Sequence, residues 1–156
     1  NNKLLGLITQ NIDGLHEKSG LPRDVIINIH GSNLEVTCLG CNDITPAHET
    51  LDNLNLDTGA PLCSKCGGLL KANTISFGQN LIPEDLKRAE ELALSCDLMI
   101  AAGSTLVVQP AASFPLIAKN HGATLAIITQ SETPLDSIAD FVFHEKLGEF
   151  IDLITN

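Results

Sequence analysis

Two Cys-x-x-Cys motifs, Cys38-x-x-Cys41 and Cys63-x-x-Cys66, leave the middle of this chain few ways to fold. Each spacing lets a tight knuckle turn aim two sulfurs at one ion, and two knuckles complete a tetrahedral zinc site. Gly40 and the pair Gly67-Gly68 supply the backbone freedom that such turns need. With all four positions filled by protein sulfur, the metal is structural and keeps no open position for water. The stretch from about residue 33 to 74 is rich in Asn and Asp and shows little periodicity, so a lobe built from it needs a staple of this kind. Five Cys and no secretory signal point to a reducing compartment, and the expected location is cytoplasmic. The fifth, Cys96, ends the apolar face of a predicted helix and reads as a small buried hydrophobe.

The flanking sequence has a different character. Leu98 to Ala102, Thr124 to Ile128 and Phe141 to Phe143 read as buried strands, and Lys3 to Thr9 and Val25 to His30 as two more. Helices are predicted over Pro83 to Ser95, over Pro110 to Asn120 with Gly122 just past its end, and from Leu147 onward. Strand and helix alternating around continuous apolar strands mean an α/β fold, a parallel sheet covered by helices. At 156 residues and 44% hydrophobic content the chain can bury a real core, yet no apolar run approaches the roughly 20 residues of a membrane span. A formal charge of −10 offers no basic footprint for nucleic acid, and five Phe without Trp or Tyr offer no platform for stacking bases. No membrane and no direct nucleic-acid partner is expected.

Three polar segments sit at predicted strand ends, where open α/β sheets place ligand contacts. Thr9-Gln10-Asn11-Ile12-Asp13-Gly14-Leu15-His16 opens from the first strand; its amides and carboxylate suit a carboxamide or sugar hydroxyls, although Asn-x-Asp-Gly is also an ordinary turn. His30-Gly31-Ser32 closes the second strand, where an imidazole can take a proton near neutrality. Four other His (His16, His48, His121, His144) compete for that role. Gly103-Ser104-Thr105 lies between a strand and a helix, where backbone N–H groups and hydroxyls suit a phosphate or ribose. No Gly-x-Gly-x-x-Gly or Walker-type loop is present.

In this order the segments resemble the sirtuins, the NAD-dependent protein-lysine deacylases, from about Lys3 to Leu153. The 9–16 segment is similar to the family's nicotinamide-and-ribose loop, His30-Gly31 to its catalytic His-Gly, and the Cys pairs to its zinc ribbon. Phe77-Gly78-Gln79 resembles the Phe-Gly-Glu that borders the acyl-lysine tunnel. Gly103-Ser104-Thr105-Leu106 with Val108-x-Pro110-Ala111 resembles the Gly-Thr-Ser segment that binds the NAD ribose and phosphates. The resemblance implies a partial Rossmann-like domain over 1–32 and 78–156, interrupted by a small zinc-ribbon lobe over 33–77.

It also implies roles. The acyl-lysine carbonyl oxygen attacks the nicotinamide ribose carbon and expels nicotinamide. A ribose hydroxyl then resolves the adduct with His30 as general base, giving free lysine and O-acyl-ADP-ribose. Asn11 and Asp13 serve catalysis beside His30. Gln10, Asn11, Ile12, Asp13, Gly103, Ser104, Thr105, Thr129, Lys146 and Leu147 contact NAD. Ile75, Phe77 and Gly78 border an acyl-lysine protein or peptide, and Cys38, Cys41, Cys63 and Cys66 hold zinc. The family's Gly-Ala-Gly phosphate loop is absent, so this stretch alone is expected to be inactive and to bind NAD poorly. Thr129 stands where the family usually has Asn, and Gln79 where it has Glu. Two other classes fit parts of the sequence. A non-catalytic zinc-ribbon interaction module has no use for Asn11, Asp13 and His30 together; an NAD-dependent ADP-ribosyltransferase shares the NAD contacts without needing an acyl tunnel.

Overall fold

The computed structural model describes residues 3–52 and 59–155. The chain divides into two compact units, Gly6–Asp85 and Leu86–Asn156 with Asn1–Leu5.

In the Gly6–Asp85 unit, β1 (Leu7–Thr9) pairs in parallel with β2 (Ile26–Asn28), Leu7 opposite Ile26 and Thr9 opposite Asn28. A loop, the short helix α1 (Leu15–Lys18) and a 3₁₀ turn at Arg23–Val25 connect them. Ile26 and Ile27, successive residues that face opposite sides of β2, are both buried, as is Ile29 just past its end, so the strand is covered on both faces. The predicted strand from Lys3 shortens to Leu7–Thr9 because its partner ladder runs for only three residues.

β3 (Gly31–Cys38) starts immediately after His30 and lies between β4 (Ile44–Pro46) and β5 (Leu70–Thr74), antiparallel to both; α2 (Ala47–Asp52) follows β4. The segment of little periodicity thus contains an eight-residue strand, irregular only where its register with β5 shifts between Gly31 and Val36. Its alternation of Asn33, Glu35 and Thr37 with Leu34, Val36 and Cys38 is a two-residue period too short to stand out from polar surroundings.

In the other unit, β6 (Leu98–Ala102), β7 (Thr124–Ile128) and β8 (Phe141–Phe143) form a parallel sheet in that order. α3 (Pro83–Ser95) precedes β6, α4 (Ser113–Asn120) crosses from β6 to β7, and α5 (Leu147–Thr155) follows β8. Leu125 and Ile127 of β7 are fully buried among Ala101, Leu106 and Ala112, with Met99, Leu135 and Ala139 packed around them. α4 begins at Ser113 rather than at Pro110, because the Ser113 hydroxyl and N–H both donate to the Pro110 carbonyl and hold 110–112 as a turn.

β6 departs from the expectation of a strand buried on both faces. Among the described residues it is an edge strand; Ala101 is buried, but Leu98 is 49% and Ile100 55% exposed on the opposite face. Cys96 is half-buried rather than enclosed, its thiol donating to the Ala93 carbonyl at 3.6 Å.

Candidate active site and metal centre

The four ribbon cysteines come from the end of β3 and its following turn, and from the knuckle before β5. Their sulfurs all lie within 4.8 Å of one another, with Cys38 and Cys66 3.4 Å apart and Cys41 and Cys63 3.9 Å apart. Each knuckle turns an amide onto a sulfur: the Gly40 N–H donates to Cys38 Sγ at 3.3 Å and the Gly68 N–H to Cys66 Sγ at 3.4 Å. Glycine is needed at 68 for packing, since a Cβ there would stand 3.0 Å from Cys38 Sγ and 3.2 Å from the Gly40 nitrogen. Backbone N–H groups of Cys41 and Gly40 lower the Cys38 thiol to about 6. Although the Asp43 N–H favours its thiolate, Cys41 is pushed up to about 12 by the Cys66 and Cys38 sulfurs. Four sulfurs this close cannot all ionise unaided, whereas a dication deprotonates coordinating thiols. The donor set, its spacing and its glycine cradle fit structural zinc, and the fit leaves no room for a catalytic water.

The loop after β1 is organised by Thr9, which the sequence places at the head of the polar segment without a role of its own. Buried Thr9 receives the Asn11 N–H on its hydroxyl at 3.1 Å, and the same oxygen lies 3.1 Å from His16 Nε2. A Thr two residues before Asn, at a strand end, is the recognisable signal of such a turn. Asp13 Oδ1 accepts the Leu15 N–H at 3.0 Å across Gly14, the N-cap of α1, which bends the chain at φ 70. The Asn33 N–H donates to the Ile12 carbonyl at 2.9 Å. These bonds fix the backbone and leave the Asn11, Ile12 and Asp13 side chains exposed on one short arc.

His30 comes to this loop. Its Nδ1 lies 3.3 Å from the Gln10 carbonyl oxygen, and because a carbonyl only accepts, Nδ1 is the protonated nitrogen. Nε2 of the neutral ring then keeps its lone pair. Three of the four competing imidazoles have other structural engagements: His16 with Thr9, His121 with the Ile117 carbonyl, and His144 with Thr129 and Asp136; His48 is exposed on α2. On the other side the Ile75 N–H donates to the His30 carbonyl at 2.9 Å, so the chain leaving β5 passes directly by the imidazole's backbone. Beyond Ile75, a turn in which the Gln79 amide oxygen accepts the Ser76 N–H at 2.8 Å presents Phe77, which is 98% exposed, and Gly78 at φ 86. Gln10, Asn11, Ile12, Asp13, His30, Ile75, Phe77 and Gly78 therefore belong to one unit.

The remaining predicted contacts collect in the other unit, at the C-terminal ends of its parallel strands. The register sets Ala102 beside Ile128 and Ile128 beside Phe143, so the segments after β6, β7 and β8 emerge along one edge. Gly103, at φ 63, donates its N–H to the Ile128 carbonyl; Ser104 Oγ accepts the Leu106 N–H, and Thr105 is exposed. Thr129 is buried and its N–H donates to the Phe143 carbonyl at 3.0 Å. Lys146, paired with Glu149 at 3.0 Å, and Leu147 lead into α5. A row of loops at strand C-termini is the usual ligand edge of an open α/β sheet.

The profile of the Sir2 family matches residues 1–110. The chain is 44% identical over 147 residues to NAD-dependent protein deacetylase 1 of Bradyrhizobium diazoefficiens, covering 94% of this chain and 58% of that protein. It is 42% identical over 146 residues to NAD-dependent protein deacylase 1 of Archaeoglobus fulgidus, covering 94% and 57%. A solved Sir2 complex with a p53 peptide and NAD+ superposes with a TM-score of 0.87 at 36% identity, over 96% of this chain and 61% of that one. A Sir2 homologue–NAD complex gives 0.85 at 40% identity, over 96% and 56%. The chain thus spans a little under three fifths of the length of the curated relatives it matches. Among the described residues no helix is long and apolar enough to cross a membrane.

Proposed function

This chain belongs to the Sir2 family, and from that membership we propose that it carries the catalytic base of an NAD-dependent protein-lysine deacylase acting on acyl-lysine proteins or peptides. The products are the free lysine, nicotinamide and O-acyl-ADP-ribose. One observation carries the reading: the Gln10 carbonyl holds the His30 Nδ1 proton, which leaves Nε2 as an acceptor beside the exposed Asn11–Asp13 arc.

Bound NAD supplies an electrophilic ribose carbon with nicotinamide as a leaving group that departs without needing a proton. His30 Nε2 takes the proton from a ribose hydroxyl, and no acid is asked of the loop. Asn11 and Asp13 orient the carboxamide and ribose, with Gln10 and Ile12 lining the same arc; what they contribute is positioning. Ile75, Phe77 and Gly78 border the acyl-lysine segment, which lies extended along the chain leaving β5. Gly103, Ser104 and Thr105 receive ribose and phosphate, and Thr129, Lys146 and Leu147 the adenosine end. Zinc at Cys38, Cys41, Cys63 and Cys66 holds the ribbon. A cytoplasmic setting goes with this reading, because the cluster needs its cysteines reduced.

Mass spectrometry of an acyl-lysine peptide incubated with NAD and the full-length protein tests the proposal. O-acyl-ADP-ribose with the deacylated peptide is the expected result; an ADP-ribosylated protein without it would make the enzyme a transferase to protein instead. In the same protein His30→Ala is expected to lower turnover by roughly 10²–10⁴-fold, the usual share of a general base, with NAD binding retained. Parallel loss of both would assign His30 a structural role only.

A further inference from the structure

Both ring nitrogens of His144 face groups that only accept. Nδ1 lies 3.3 Å from the Thr129 carbonyl oxygen and Nε2 3.2 Å from Asp136 Oδ2. Asp136 has no proton to offer: the Thr133 hydroxyl and N–H donate to its two oxygens, and they, with His144, hold its carboxyl below the ordinary range. A neutral imidazole has one N–H and leaves one of these acceptors facing a lone pair. The imidazolium satisfies both.

Through those two bonds His144 ties together three pieces of chain. These are the end of β7 at Thr129, the turn that carries Thr133 and Asp136, and the segment 144–147 that leads into α5. The Thr129 N–H on the Phe143 carbonyl closes the strand ends just before this junction. We propose that His144, donating from both nitrogens, is a positioning residue that holds Thr129 and the 144–147 segment in the arrangement that receives the adenosine end of NAD. The proposal rests on the NAD reading above and adds to it a residue and a pH response. The other charged groups close in the chain are Glu145 and Lys146, the latter drawn to Glu149, while Lys119 of α4 is paired with Asp140. The carboxylate that meets the imidazole is Asp136. The imidazolium fastens the junction with two N–H bonds, where the neutral ring makes one.

The test is calorimetry with ADP-ribose on the full-length protein at pH 6 and pH 8.5, for the wild type, His144→Ala and His144→Arg, with kcat and KM for NAD measured alongside. The wild type is expected to bind roughly fivefold more tightly at pH 6, a coupling in the usual range. His144→Ala is expected to bind at both pH values as the wild type does at pH 8.5, with KM for NAD raised and kcat little changed. His144→Arg, charged at both pH values, is expected to recover affinity at pH 8.5. Imidazole ¹⁵N shifts of the wild type should report two N–H groups at pH 6. If the wild type and His144→Ala show the same pH response, the positioning role is wrong while NAD binding stands. If the wild type binds no ADP-ribose at either pH, the NAD reading fails and takes this proposal with it.

Discussion

Gly31 sets the aim of His30. Its φ is 75, and a Cβ built there would lie 2.2 Å from the Asn73 carbonyl oxygen and 3.0 Å from the Thr74 Cα, both backbone atoms. No side-chain rearrangement relieves such an overlap, so β5 or the His30 backbone must move. Gly31→Ala is expected to cost at least about 2 kcal/mol in denaturant unfolding, combining left-handed strain with the clash. Gly20→Ala is the control: φ is 91 but nothing lies within 4 Å of its Cβ, so about 1 kcal/mol of conformational cost is expected. Equal losses would show that the approach of β5 is not what demands glycine. The sequence shows a glycine after a histidine; the strand that makes it necessary comes from far downstream.

Among the elements, the β6–β7–β8 sheet is pinned by two carboxylates. Asp140 receives Lys119 of α4 at 2.6 Å and the Leu125 N–H of β7 at 2.8 Å, joining helix, central strand and the entry to β8. Lys119, and then the Leu125 N–H, hold its carboxyl below the usual range. Asp136 is lowered too, first by the Thr133 hydroxyl. A carboxylate lowered in the folded state contributes stability that is fully present above its unfolded value of about 4. That stability is lost as pH falls through the folded value. Unfolding free energy is therefore expected to hold from pH 6 to 5 and to drop toward pH 3. Asp140→Asn should be less stable than wild type at pH 6 and should show a smaller drop on acidification, measured by denaturant unfolding at pH 6 and 3. An unchanged acid slope would place the pH dependence elsewhere. That Asp140 precedes a strand is visible in the sequence, but its two partners are not.

At the scale of the molecule, each unit has its own framework, and among the described residues the four-cysteine cluster lies in the Gly6–Asp85 unit. The ribbon sheet β4–β3–β5 encloses few large side chains, whereas β6–β7–β8 packs on fully buried Leu125 and Ile127. Metal binding to four thiols is coupled to folding. Chelation at neutral pH, or Cys63→Ser, is expected to remove amide-exchange protection from β3 and β5 while β7 keeps its own. Protection surviving in β3 and β5 without metal would mean that the ribbon folds unaided. The chain's charge of −10 becomes about two units more negative when four thiolates hold one dication, which sets it further from nucleic acid.

The sequence alone determined what depends on spacing and period. It pointed to the four cysteines that the fold gathers into one cluster, the parallel strands built on apolar runs, and the polar loops at their ends, because each is encoded within a few residues. Tertiary structure decided everything that depends on a distant backbone group. The Gln10 carbonyl selects which His30 nitrogen is free, the Asn73 carbonyl makes Gly31 obligatory, and Thr129 with Asp136 gives His144 two acceptors. The half-open face of β6 and the raised Cys41 thiol belong there too. Protonation and steric demand are set by the atoms that face a group, and folding brings those atoms from remote parts of the chain.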